Sequence, residues 1–290
     1  MREPSRVRSL WIVMVLTCFS RVWSQPSQTH VRLEPRAVIE KRLKSVRTDN
    51  AAREQLIDTW LKESGCEKGN LSEQTARVGL PPNVICVLPG ESDAVIVVGA
   101  HTDHVSRAGD GVVDNWTGAS LLPSLLFSLA GEKRRHTFVF IGFTSEEKGM
   151  VGSEYYVEHM MPDQRTRVQA MVNLDSLGLT PTKVWTSHSD KVLLDALASV
   201  ARAEKLPATS ANVDDLGSTD SESFARERIP RITLHSVTQE TIHILHSSDD
   251  RLTAIKMDDF WDSYRLIAQY LAYLDEVLPL HAAEQAPQSH

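Results

Sequence analysis

Short apolar runs that break off at a charged side chain or a histidine alternate along this chain with stretches whose apolar positions recur every three to four residues. The first pattern predicts strands buried on both faces, and the second predicts amphipathic helices. Between 35 and 64, Val38, Ile39, Leu43, Val46, Leu56, Ile57 and Leu61 recur at helical spacing, with Trp60 on the same face and Gly65 as a stop. Strands are predicted at 83–88 and 94–100, separated by the turn sequence PGESD, and at 138–143, 168–174, 183–187 and 231–235. Helices are predicted at 117–130, 152–161 and 191–204, with a long closing helix at 258–278 and a frayed tail at 282–290. This alternation predicts an α/β fold, a single domain over 26–281 with a mostly parallel sheet covered by helices on both faces.

A chain of 290 residues with 41% hydrophobic content can bury a core of that size. Its 31 basic and 38 acidic residues give a formal charge of −7 with no basic run, which excludes nucleic acid as a partner class. The first 25 residues read as a targeting leader. Arg2, Arg6 and Arg8 precede the apolar stretch LWIVMVLTCF, which is short for a bilayer and is followed by small and polar residues around Ser24, Gln25 and Pro26. The expectation is export to the periplasm or the medium, with no stable membrane span once the leader is removed; a retained N-terminal anchor is the alternative. Export leaves Cys66 and Cys86, an even pair where disulfides persist, yet Cys86 sits in the apolar run NVICVL, where a free buried thiol fits equally. The two readings stand level, and the sequence carries no mark of oligomeric state.

Chemistry enters where the apolar runs stop. In open α/β sheets ligands bind outside the carboxyl ends of the strands. His101 and Asp103 end the run VIVVGAHTD, spaced so that both side chains can lie on one side of the chain. By itself His-x-Asp marks a surface loop as readily as a site. Asp114 lies in the turn GVVDNWTG, where its two oxygens can bridge two cations while Asn115 or Thr117 caps the next helix. Ordinary turn chemistry accounts for it equally well. Glu146 and Glu147 follow FVFIGF directly. Two adjacent acids there repel unless a cation or a proton is shared, and in extended chain they would point opposite ways, one to a metal and one to substrate. Asp175 ends VNLD, where an unpaired buried carboxylate would cost several kcal/mol. His246 stands in a polar loop with His243, Asp249 and Asp250 nearby.

Taken together, GAHTD, DNWTGA, TSEEKGMVGS, NLDSLG, TDSESF with IPRITL, and HSSDD resemble the co-catalytic zinc aminopeptidases, metallopeptidase family twenty-eight, over about 84–278. The resemblance implies a mixed, mostly parallel sheet between helices, of the phosphorylase/hydrolase-like kind. It implies two zinc ions, with manganese or cobalt as replacements: His101 and Asp175 on one, Glu147 and His246 on the other, and Asp114 bridging both. Glu146 would then be the general base and Asp103 the partner that orients His101. The substrate would be a peptide or a small amide. Ser176, Trp116 and the form HSSDDR depart from the family's commoner residues, so Trp116 either walls the substrate pocket or packs the core. Asp220 falls in a matching motif without an assigned role.

Three other functions share these residues. A glutaminyl cyclase has the same fold with one zinc, although DNWTG favours the peptidase. A carboxypeptidase or amidohydrolase of related fold would change the substrate end and keep the metal chemistry. A catalytically dead binding domain would be expected to have lost ligands or base, and here every position is filled.

Overall fold

The computed structural model describes residues 31–106, 109–131, 133–214 and 217–280. The predicted leader and the predicted frayed tail lie outside them. One sheet of eight strands runs in the order β1-β2-β4-β3-β5-β8-β6-β7. Its centre is formed by β4 (Thr137–Phe143), β3 (Val95–His101), β5 (Val168–Leu174) and β8 (Arg231–His235), all paired in parallel. Toward one edge β2 (Asn83–Leu88) runs antiparallel to β4, and β1 (Leu71–Gln74) antiparallel to β2. At the other edge lie the short strands β6 (Lys183–Val184) and β7 (Thr209–Ser210). The sheet is therefore mixed with a parallel centre.

Helices cover both faces. The larger core joins the sheet to α1 (Arg36–Lys44), α2 (Asn50–Glu63), α3 (Thr117–Ala130), α6 (Lys191–Glu204) and α8 (Met257–Val277). A smaller cluster containing Val97, Ile141, Phe143, Met171 and Phe224 lies on the opposite face, beside α4 (Val151–Glu158) and α7 (Ser221–Arg226). The strands at 83–88, 138–143, 168–174 and 231–235 form where the apolar runs place them.

Three expectations need correction. The helical region 35–64 is two helices, because the chain leaves the helix at Ser45 and restarts where the Asp49 carboxylate accepts the Ala52 N–H at 2.8 Å. The strand at 183–187 is only two residues long before a 3₁₀ turn at Thr186–His188. The helix at 152–161 ends at Glu158, and Pro162 opens a separate α5 (Pro162–Arg167). β1, β7 and α7 carry too few apolar positions to show a period. They form because the neighbouring strand edges and packed helices offer partners.

The cysteines are bridged: a disulfide joins Cys66, just past α2, to Cys86 in β2. Closing a loop across 20 residues restricts the unfolded chain by about 3 kcal/mol in the chain-entropy account. Reduction of the native protein, or the pair Cys66→Ser and Cys86→Ala, is expected to lower the urea unfolding free energy by about that amount. An unchanged unfolding midpoint would show that the bridge contributes nothing.

Trp116 is core packing. It is wholly buried, its indole N–H donates to the carbonyls of Arg42 and Leu43 at 3.2 and 3.1 Å, and its ring packs 5.6 Å from that of Trp60.

Candidate metal centre and active site

The carboxyl ends of β3, β4 and β5 finish side by side, His101 pairing with Phe143 and Gly99 with Asn173. The residues that follow each strand are thus delivered to one rim. There His101 Nε2 lies 3.2 Å from Asp114 Oδ1 and 3.8 Å from Asp175 Oδ1. His246 Nε2 lies 3.1 Å from Asp114 Oδ2 and 2.9 Å from Glu147 Oε2. Two triads result, His101–Asp114–Asp175 and Asp114–Glu147–His246, with the donor atoms of each within 4.8 Å of one another. Asp114 belongs to both, one carboxylate oxygen facing each histidine. His246 joins the rim, whereas His243 lines a separate surface depression.

The charges respond to this crowding. Burial alone would raise the Asp114 carboxyl, but hydrogen bonds from His101 and His246 hold it well below the usual carboxylate range. His246 is pushed up to about 10 by its hydrogen bonds to Asp114 and Glu147. His101 also rises, against burial, because Asp103, Asp114 and Asp175 surround it. Glu146 goes the other way for a carboxylate: burial pushes it up to about 9, opposed by His101 and reinforced by Asp220, Asp175 and Asp114. Two imidazoles and three carboxylates with lone pairs converging, and among the described residues no thiol free to join them, form a donor set that fits divalent cations favouring N and O ligands.

The two glutamates do not leave β4 in extended chain. Ser145 adopts a left-handed conformation (φ 53°) and starts a 3₁₀ turn at Glu146–Lys148, so both side chains line the same cavity. Asp103 sets this turn: its Oδ1 accepts the Glu146 N–H at 3.0 Å and its Oδ2 the Glu147 N–H at 3.4 Å. Its Oδ1 also lies 3.6 Å from His101 Nδ1, while the Asp103 carbonyl lies 3.2 Å from that nitrogen. Asp103 therefore touches the supports of three rim residues at once.

Other groups position the rim through hydrogen bonds. Asp250 accepts the backbone N–H groups of Val113 (2.6 Å) and Asp114 (3.2 Å) from a segment 136 residues away. Thr219 donates to Asp175 Oδ2 at 2.8 Å and accepts from Asn173 Nδ2 at 2.7 Å. Asn115 does act as a cap, accepting the Gly118 N–H at 2.9 Å, and it also accepts the Ser176 N–H and donates to the Leu174 carbonyl. The glycine in DNWTG is required by closeness: a Cβ at Gly118 would sit 2.5 Å from the Leu174 carbonyl oxygen and 2.6 Å from Asn115 Oδ1. Asp220 is wholly buried, and among the described residues neither of its oxygens has a hydrogen-bond partner. Burial pushes it up to about 7.

The rim opens into a cavity of about 340 Å³ that is also lined by Met150, Trp185, Val213, Val237 and Leu245, with His235. His235 bridges the Ala211 carbonyl at Nε2 (2.9 Å) and the Val237 N–H at Nδ1 (3.2 Å), an arrangement that suits the neutral ring. Burial lowers its pKa to about 4 from 6.5, so the unfolded chain takes up this proton first as pH falls. That contribution to stability is intact above pH 6.5 and is lost on the way down to about pH 4. By pH 4.5 the loss is expected to reach about 2 kcal/mol, measurable as an acid-dependent fall in unfolding free energy. The fall is expected to be smaller by that amount in His235→Gln, and an identical fall in both proteins would exclude the effect.

The sequence profile described as Peptidase family M28 matches residues 83–271. An aminopeptidase of Pseudomonas aeruginosa is 33% identical over 89 residues, 31% of this chain and 16% of that protein. A probable leucine aminopeptidase of Arthroderma otae is 28% identical over 138 residues, 43% of this chain and 38% of its own length. The matches thus span well under half of these relatives. Among solved structures, the Legionella pneumophila LapA aminopeptidase superposes with a TM-score of 0.68 at 20% identity, covering 87% of this chain and 78% of its own. An Acidobacteriales bacterium glutaminyl cyclase reaches 0.69 at 16% identity, covering 87% and 98%. These likenesses show a shared fold.

Proposed function

The chain belongs to peptidase family M28, and from that premise we propose that it is an exported zinc-dependent aminopeptidase that hydrolyses N-terminal peptide bonds. The observation that carries the reading is Asp114, whose two oxygens face two different histidines. His101 and Asp175 would hold one ion, Glu147 and His246 the other, and Asp114 both. Zinc suits these donors, and manganese or cobalt could replace it. Bound there, the ions would supply Lewis acidity, polarising the scissile carbonyl and acidifying an attacking water. Glu146 would take a proton from the attacking water and return it to the leaving amine. Asp103 holds Glu146 and Glu147 by their backbone N–H groups while steadying His101. The uncharged wall of Met150, Val213, Val237 and Leu245 receives the side chain of the N-terminal residue. Export is inferred from the leader; among the described residues no helix is long and apolar enough to cross a membrane.

Glutaminyl cyclisation is the second reading, because this chain covers nearly the whole length of a cyclase of the same fold. A mixed peptide library incubated with zinc-loaded protein and followed by mass spectrometry separates the two. Stepwise loss of N-terminal residues, abolished by a chelator, is the expected result. Loss of ammonia from Gln-starting peptides alone would replace the proposal with the cyclase. No change in any peptide would overturn both and favour a binding domain.

A further inference from the structure

Arg53, on α2, has no exposed surface and does not line the cavity, yet it lies directly behind the turn that carries Asp114. Its Nη2 donates to the Gly111 carbonyl, and a Cβ on Gly111 would sit 2.9 Å from its Nη1. The guanidinium carbon stands 5.2 Å from the Trp116 ring centroid. Among the described residues neither Nε nor Nη1 has a hydrogen-bond partner. A buried guanidinium with one hydrogen bond is a costly prop for a turn, unless opposite charges compensate it. Those charges are present: Asp103, Asp250, Asp114 and Glu147 all attract it, and although burial lowers its pKa to about 10 it stays charged at neutral pH. Two of these carboxylates are proposed ligands, and the other two hold the ligands' backbone.

We propose that Arg53 is a fixed counter-cation behind the metal centre, restraining its surplus of carboxylates in the metal-free protein and weakening their grip on divalent ions. The inference rests on the metal-site reading given above. A permanent positive charge sharing a poorly solvated region with the ligands repels an incoming dication, so it sets how tightly zinc is held. Arg53 is thus a positioning residue acting through Asp103, Asp114, Glu147 and Asp250.

The test is a zinc titration of the full-length metal-free protein against a chelating chromophore, for wild type, Arg53→Gln and Arg53→Lys. Gln keeps an N–H for the Gly111 carbonyl without the charge, and Lys keeps the charge without the fork. Arg53→Gln is expected to bind zinc at least about tenfold more tightly than wild type, with a lower melting temperature when metal-free, and Arg53→Lys to stay near wild type. Unchanged or weaker zinc binding in Arg53→Gln would overturn the inference and leave Arg53 a support for the turn. Wild type taking up no zinc would overturn the metal-site reading itself. Should Arg53→Gln not fold, the Arg53 Nε–H resonance of isotope-labelled wild type, assigned by its loss in Arg53→Lys, is expected to shift on zinc loading. A resonance that does not move would overturn the inference.

Discussion

Glu146→Gln is expected to lower turnover of an N-terminal peptide substrate by about three orders of magnitude while the protein keeps its full complement of metal. A general base contributes on the order of 10²–10⁴ to the rate, and an amide in its place cannot accept the water's proton. Glu146 belongs to neither triad, and its backbone tie to Asp103 does not involve the side chain. The substitution has a second effect of opposite sign. Burial and the acids Asp220, Asp175 and Asp114 raise the Glu146 carboxyl to about 9, so a neutral amide of similar shape removes a group that sits there at a disadvantage when ionised. The metal-free variant is therefore expected to melt no lower than metal-free wild type. Steady-state kinetics, metal analysis and thermal melting check the three statements together. Turnover within tenfold of wild type would remove Glu146 from the role of base.

Asp114→Asn is expected to be as severe by a different route. It keeps the volume of the side chain, but it removes the charge that both His101 and His246 lean on. Metal content is expected to fall to one ion or fewer per chain and kcat/KM by more than about 10³, since the one carboxylate shared by both triads would have lost its charge. Metal analysis after dialysis, alongside kinetics, reads both. The same substitution changes the pH dependence of metal-free stability. The folded-state pKa of His246 is raised to about 10 from 6.5, so its contribution is complete below pH 6.5 and is lost as pH rises toward 10. With Asp114 neutralised that alkaline loss is expected to shrink. His243→Ala is the control: it lies away from the rim and is expected to change neither metal content nor turnover. Two ions retained in Asp114→Asn, or an ion lost in His243→Ala, would contradict the arrangement.

The strands that form the rim were legible because a buried parallel strand needs an unbroken apolar run, and the residue that ends such a run is conspicuous. His101 after VIVVGA, Glu146 and Glu147 after FVFIGF, and Asp175 after VNL stand out for that reason. The short polar strand Leu71–Gln74 does not, since its pairing depends on the free edge of Asn83–Leu88. Trp116 is ambiguous in the sequence because an indole suits a pocket wall or a core equally. The contact of its N–H with Arg42 and Leu43, more than 70 residues earlier, decides for the core. The bridging of Cys66 to Cys86 was equally undecided, as spacing alone does not bring two sulfurs together.

By itself the sequence determined the α/β alternation and the parallel centre of the sheet, because each of these is a local pattern of apolar and polar positions, whereas the acids and histidines of the rim came together as one set only through the resemblance to the peptidase family. Only the tertiary structure decided that Asp114 faces both histidines, that Glu146 and Glu147 turn into one cavity, and that Asp250, Thr219 and Arg53 support them from distant segments. The reason is physical: a hydrogen bond or a Coulomb attraction depends on distance in space, and the folded core brings together groups whose separation along the chain bears no relation to it.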